Sequence, residues 1–139
     1  MSLKYLLDTN VVSEPLRPLP GSAVLRRLRR HEGEIAIPSV VWHELRFGVE
    51  RLPASRRREA IETFLEDVVL ATIPILDYDR AAAEWHATER VRLAVRGVTR
   101  PFADGQIAAI ARVHNLTLVT FNETDFHRFR GLRVASWRR

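Results

Sequence analysis

Short apolar runs alternate with longer segments of mixed polarity along the chain. The short runs are bounded by polar, glycine or proline residues, which is typical of strands buried on both faces of a parallel sheet. They predict strands at residues 3–7, 34–37, 72–76, 117–120 and 132–135. Pro74 lies inside the third run. Because proline cannot donate to a strand ladder, we expect that strand to be short or at a sheet edge.

The longer segments carry apolar residues at helical spacing behind residues that favour helix N-caps. The predicted helices span residues 22–31, 39–52, 55–69, 79–97 and 101–115, and the expected caps include Ser39, Ser55 and Asp79. In the third of these helices, Leu65, Val68 and Val69 are expected to lie on one buried face. Strands separated by helices indicate parallel βαβ units. We therefore predict an α/β fold, a three-layer α/β/α sandwich with a mainly parallel central sheet, formed by residues 1–139 as one domain.

Acidic side chains occur where the predicted strands end. Parallel strands end at one common edge, which is where ligands bind in open α/β sheets. Asp8 directly follows the first strand, and Asn122 and Asp125 follow the fourth. Asp104 lies near the start of the helix before the fourth strand, and Glu44 lies in the helix after the second. Each acid alone has an ordinary explanation as a helix cap, a turn residue or a solvated side chain.

Four carboxylates at one edge are harder to explain structurally than one. Two carboxylates ~4 Å apart repel each other by about 4 kcal/mol at an effective dielectric constant of 20. A packed acidic cluster therefore needs a proton or a cation. Ligands that are all oxygens select hard cations, here Mg²⁺ or Mn²⁺. Such sites support phosphodiester cleavage, because a bound metal lowers the pKa of a water and neutralises charge on the phosphate.

The overall charge favours a polyanionic partner. The chain carries 22 basic and 17 acidic residues, a net charge of +5, and Lys4 is its only lysine. Arginine is the better bidentate ligand for phosphate. An acidic pocket within a basic body suits a nuclease, since arginines would hold the phosphates that flank the cleaved bond. The arginine-rich run at residues 26–30 is expected to form a solvated helix face, with contact to RNA or to a protein partner as the alternative.

Composition also excludes some classes of protein. The absence of cysteine rules out disulfides and thiolate metal sites. The apolar runs are too short to span a membrane, and the first residues lack the apolar region of a signal peptide, so we expect a cytoplasmic protein. The five histidines show no zinc-ligand spacing and are expected at the surface or half-buried.

Three segments resemble the PIN-domain nucleases, and within them the VapC-type toxins of bacterial toxin–antitoxin pairs. They read YLLDTNVVSE, IPSVVWHELRFG and FADGQIAAIARVHNLTLVTFNETDF, and together they extend over nearly the whole chain. The resemblance implies a Mg²⁺- or Mn²⁺-dependent ribonuclease that forms a homodimer and is inhibited by a cognate antitoxin. It implies metal ligation by Asp8, Glu44 and Asp104, with Asp125 as a weaker or second-metal ligand. It also implies that Asn10, Thr120 and Asn122 support these acids by hydrogen bonds.

Two positions depart from the family pattern. Phe121 stands where an arginine usually precedes the final acid, which puts a phosphate contact at that position in doubt. Gly105 follows Asp104 inside a predicted helix, where glycine costs about 1 kcal/mol relative to alanine.

Other functions fit less well. Enzymes of the haloacid-dehalogenase type and receiver domains also end a strand in aspartate, but the former need a second acid where this chain has Asn10, and both need a lysine near the phosphoryl group. No glycine-rich phosphate loop follows the first strand, which argues against a nucleotide-binding module. The remaining alternative is a PIN-like module that binds nucleic acid without significant nuclease activity.

Overall fold

The computed structural model describes residues 2–138. Within them, a five-stranded sheet has the order β3-β2-β1-β4-β5, and every neighbouring pair of strands is parallel. The strands are β1 (Tyr5–Leu7), β2 (Ile35–Pro38), β3 (Ile75–Leu76), β4 (Thr117–Val119) and β5 (Val134–Ala135). The predicted α/β fold with a parallel central sheet is confirmed. The prediction for the third strand is also confirmed, because β3 is short and lies at an edge.

Helices connect the strands. They are α1 (Thr9–Val12), α2 (Ser22–Arg30), α3 (Ser39–Glu50), α4 (Arg56–Phe64), α5 (Arg80–Val95), α6 (Phe102–Val113) and α7 (Glu123–Phe126). A 3₁₀ turn follows α1 at Glu14–Leu16, and α4 continues into a π-helical segment at Leu65–Leu70. Among residues 2–138, no helix combines the length and the hydropathy that crossing a membrane requires.

The chain reverses its winding direction at the centre of the sheet. From β1 it moves to β2 and β3 on one side, and then returns to β4 and β5 on the other. Because crossovers between parallel strands are right-handed, this reversal places helices on both faces of the sheet. It also opens a crevice between the carboxyl ends of β1 and β4, the position at which ligands bind in such sheets.

The core lies on the central strands and on the helix that leads into β4. Leu6, Leu7, Leu118 and Val119 are fully buried, as are several small residues of α6 such as Ala108. Continuous apolar strands are expected here, since both faces of a parallel sheet are covered. The backbone N–H of Asp8 donates to the Val119 carbonyl oxygen at 3.0 Å, so the ladder between β1 and β4 holds up to the edge where the acids were predicted.

Two local predictions are wrong. Ser39 does not cap α3; Pro38 ends β2 and is also the N-cap residue, without a side-chain hydrogen bond. Val68 is 46% exposed, whereas Leu65 and Val69 on the same predicted face are buried. The physical reason is the π-helical segment, whose wider turn changes the angular spacing of side chains and removes Val68 from the face that helical periodicity assigns to it.

Candidate functional site at the strand ends

Asp8 is held at the end of β1 by hydrogen bonds to both of its carboxylate oxygens. It is the N-cap residue of α1, and its Oδ1 accepts from the Thr9 backbone N–H at 2.8 Å. Its Oδ2 accepts from the Thr120 hydroxyl, also at 2.8 Å. The ordinary explanation of Asp8 as a helix cap is therefore correct, but it describes one oxygen only. The second oxygen is oriented across the crevice by a side chain at the end of β4.

Thr120 connects the two sides of this crevice. Its side chain is fully buried, and its Oγ1 accepts from the Asn122 backbone N–H at 3.0 Å while donating to Asp8. A buried hydroxyl that donates once and accepts once has a fixed rotamer. Asn122 takes part through its backbone, and its side chain is exposed, like that of Asn10. The structure thus brings Asp8, Thr120 and Asn122 together as one hydrogen-bonded unit.

Asp104 and Asp125 share one arginine. Asp104 lies in the first turn of α6 and Asp125 in the short helix α7. The Nη2 atom of Arg100 lies 3.1 Å from Asp104 Oδ2 and 3.1 Å from Asp125 Oδ1. Sequence reasoning missed Arg100, because it lies before the start of α6 and no helical spacing relates it to Asp104.

The electrostatics of Asp104 show that three of the predicted acids face one another. Burial raises the pKa of its carboxyl above the usual range. The hydrogen bond and the charge of Arg100 oppose this rise, while the negative charges of Asp125 and Asp8 add to it. A carboxylate raises the pKa of another only when the two are close, so Asp8 and Asp125 both lie near Asp104.

Glu44 is placed differently. Its side chain is exposed on α3, whereas Val41 and Leu45 of the same helix are buried. Within residues 2–138, no hydrogen bond connects it to the other acids. Across the same residues, no three His, Cys, Asp or Glu side chains are arranged closely enough to hold a metal ion. Asp8, Asp104 and Asp125 offer only carboxylate oxygens, the ligand type that hard divalent cations prefer, and Arg100 lies against two of the three.

Gly105 is required by packing. A Cβ atom at this position would lie 2.0 Å from His86 Nε2, because α5 places the imidazole directly against α6. His86 is only 4% exposed, so the expectation of a surface or half-buried side chain is wrong for this residue. The Nδ1 atom of His86 lies 2.8 Å from the Tyr78 hydroxyl. Burial lowers the pKa of His86, and the charge of Arg90 lowers it further. Glycine inside a helical pattern is the sequence signal for such a close approach.

The ring of Phe121 is in contact with Arg138, near the end of the chain. The guanidinium carbon of Arg138 lies 4.0 Å from the centre of the Phe121 ring, which is a cation–π contact. Positive charge therefore lies beside the end of β4 even though the family's arginine is replaced. No sequence pattern predicts this pairing, because the two residues are joined only by the fold.

Comparison with known proteins identifies the family of this chain. The PIN domain family model matches residues 5–132. A tRNA(fMet)-specific endonuclease VapC from Shigella flexneri is 38% identical over 136 residues, covering 97% of this chain and 98% of the relative. Toxin FitB from Neisseria gonorrhoeae is 36% identical over 124 residues, covering 87% of this chain and 89% of the relative.

Solved structures agree as well. A chain in the crystal structure of FitAcB from Neisseria gonorrhoeae superposes with a TM-score of 0.86 at 33% identity, covering 94% of this chain and 95% of that one. A chain in the DNA-bound VapBC structure from Salmonella typhimurium gives 0.85 at 30% identity, covering 97% and 98%. The family model matches most of the chain, and these relatives and solved structures agree with it. The chain therefore belongs to the PIN domain family.

Proposed function

We propose that this protein is a metal-dependent ribonuclease, the toxin of a type II toxin–antitoxin pair, which hydrolyses phosphodiester bonds of RNA in the cytoplasm and is neutralised by a cognate antitoxin. Residues 1–139 act as one catalytic domain, and the active form is a homodimer. The observation that carries the proposal is the arrangement beside the crevice between β1 and β4, where Thr120 bonds to Asp8 and Arg100 joins Asp104 to Asp125. The names of the relatives, which include endonucleases, ribonucleases and toxins, support it.

Asp8 and Asp104 are the proposed principal ligands of Mg²⁺ or Mn²⁺, with Glu44 and Asp125 completing the set. When bound, the cation supplies an activated water and charge neutralisation at the phosphate. Thr120 fixes the direction of Asp8 Oδ2, and the Asn122 backbone N–H fixes Thr120 in turn. Loss of a group that orients a metal ligand typically lowers metal affinity or activity by about 10–100-fold.

The basic surface is the proposed contact for RNA. The net charge of +5 already includes the acids of the site, so the rest of the surface is more strongly positive than that number states. Arg26, Arg29 and Arg30 are exposed on α2, as predicted for this run, whereas Arg27 donates to the Ser136 carbonyl oxygen at 3.0 Å. Arginines on an exposed helix suit a phosphate backbone or the acidic segments of an antitoxin.

An apolar groove next to α2 is the proposed docking place of the antitoxin. It has a volume of about 480 Å³ and is lined by Leu25, Leu28, Phe64, Val68 and Ile73 among others. Structures similar to this chain have been solved as part of the FitAB and VapBC complexes. An amphipathic helix of the antitoxin would place its apolar face in this groove and acidic residues against the arginines.

The toxin proposal is tested by expression in a bacterial host. Inducing the gene alone should stop growth, while co-expression of the cognate antitoxin should restore it. An Asp8→Ala variant, confirmed to be soluble, should permit growth without the antitoxin because the metal site is lost. Equal growth of cultures that express the wild-type protein and Asp8→Ala would instead favour the nucleic-acid-binding module.

A further inference from the structure

Arg100 lies between two carboxylates of the proposed metal site in an arrangement that is unusual for a permanent ion pair. One nitrogen, Nη2, serves both Asp104 and Asp125, at 3.1 Å from each. The Nε atom is buried and has no hydrogen-bond partner within residues 2–138. Arg92 presents two nitrogens to the carboxylate of Glu89 as a fork, the stronger arrangement, and Arg100 does not do so with either of its acids. Leaving a buried N–H unpaired is costly, so this geometry is not optimised to stabilise the fold.

A cation bound to Asp104 and Asp125 would lie close to Arg100. Asp104 Oδ2 and Asp125 Oδ1 are the atoms that accept from Arg100. Mg²⁺ binds carboxylate oxygens at about 2.0–2.1 Å, well inside the position of the guanidinium nitrogen. A divalent ion and the guanidinium also repel each other at these distances. While Arg100 remains in place, its positive charge therefore opposes the entry of a cation at these two acids.

Arg100 has room to move. It lies in the segment between the end of α5 at Val95 and the start of α6 at Phe102, and its side chain is 26% exposed. A cavity of about 210 Å³ borders it, lined also by Leu93, Thr99 and Phe129. A change of rotamer would therefore not require the helices to separate.

We infer that Arg100 is an internal counter-cation that competes with the divalent metal for Asp104 and Asp125, and that its guanidinium is transferred to a phosphate of the RNA backbone when the metal enters. The inference rests on the proposed function, since it assigns a second role at the same site. Phosphate is the proposed acceptor because it binds a guanidinium bidentately, and RNA in the proposed site would bring phosphates beside Arg100.

Calorimetric titration of RNA-free protein with Mn²⁺ tests the competition directly. Arg100→Ala should bind Mn²⁺ about tenfold more tightly than the wild-type protein, equivalent to about 1.4 kcal/mol. Arg100→Lys, which keeps the charge, should stay close to wild type, and so should Arg96→Ala, which removes an exposed arginine nearby. Unchanged or weaker binding in Arg100→Ala would overturn the inference, because it would make Arg100 a neutral or supporting neighbour of the ligands. If Arg100→Ala does not fold, Arg100→Gln carries the same expectation.

RNA cleavage at saturating Mn²⁺ tests the transfer. Arg100→Ala should raise the KM for RNA about fivefold, and Arg96→Ala should not. If Arg100→Ala binds Mn²⁺ more tightly but its KM for RNA is unchanged, the transfer to phosphate is refuted and the competition stands. A wild-type protein that neither binds Mn²⁺ nor cleaves RNA would overturn the proposed function, and the inference with it; metal binding by the wild type with equal affinity in Arg100→Ala would overturn the inference alone.

Discussion

Single residues at the strand ends decide how the site is held, and Thr120 is the clearest case. Its buried hydroxyl is the only side-chain donor to Asp8 among residues 2–138, and it accepts from Asn122 at the same time. Thr120→Val keeps the shape and removes both bonds. We predict RNA cleavage reduced by about 10–100-fold, which is the typical effect of losing a group that orients a metal ligand. The measurement is kcat/KM of purified protein, with Thr117→Val at the start of β4 as the control.

Gly105 shows how packing can determine a residue beside the acids. Gly105→Ala places a Cβ atom 2.0 Å from the His86 imidazole, so the imidazole must shift or α5 and α6 must move apart. We predict a free energy of unfolding reduced by about 1–3 kcal/mol, as for other overpacked cores, measured by urea denaturation. Gly48→Ala is the matched control: a Cβ there meets nothing within 4 Å, and the change should stabilise α3 by up to about 1 kcal/mol. Equal effects of the two substitutions would contradict the close contact.

At the scale of elements, one buried acid, Glu89, connects α5 to the segment that follows α7. Glu89 on α5 is 4% exposed; it binds Arg92 through both carboxylate oxygens and accepts from the Arg130 backbone N–H at 2.7 Å. Its interaction with Arg92, assisted by the Arg130 backbone, holds the pKa of Glu89 below its usual range despite burial. This cluster connects α5 to the segment that follows α7.

The stability of this connection should depend on pH with a definite sign. Because the pKa of Glu89 is lower in the folded than in the unfolded protein, its contribution is fully present above the unfolded value of about 4.3 and is lost as the pH falls through the folded value. Glu89→Gln should lower the free energy of unfolding by about 2–3 kcal/mol at pH 7. The difference from wild type should shrink as the pH is lowered below 4.3. A difference that is independent of pH would show that Glu89 does not act through its charge.

At the scale of the whole molecule, sequence reasoning succeeds where one local pattern has one structural meaning. Continuous apolar runs predict the parallel sheet, and Pro74 predicts an edge strand, because both follow from strand chemistry alone. The position of Asp8 directly after a buried strand is also confirmed, whereas its role as a metal ligand stays a prediction. Sequence reasoning fails where a contact forms between segments that only the fold brings together. The pairing of Arg100 with Asp125, the contact of His86 with Gly105 and the pairing of Arg138 with Phe121 are of this kind. It also fails at Val68, because a π-helical turn has no periodicity signal of its own.

Metal binding should be visible in the stability of the whole protein. A ligand that binds only the folded state raises its free energy of unfolding by RT ln(1 + [L]/Kd), or about 2.7 kcal/mol at a hundredfold excess over Kd. We therefore predict that saturating Mn²⁺ raises the melting temperature of the wild-type protein. Asp104→Asn should abolish the rise, because it removes one of the proposed principal ligands. A rise of equal size in that variant would place the metal elsewhere on the protein.

The central claim is that Asp8 and Asp104 hold a cation that cleaves RNA, and the most direct measurement is cleavage of RNA by purified protein with and without Mn²⁺. The wild-type protein should cleave only when Mn²⁺ is present. Asp8→Asn and Asp104→Asn should lose activity while keeping a folded circular dichroism spectrum. Asp67→Asn, an exposed acid outside the crevice, should cleave like wild type. Cleavage by Asp8→Asn or Asp104→Asn at a rate near that of wild type would contradict the account.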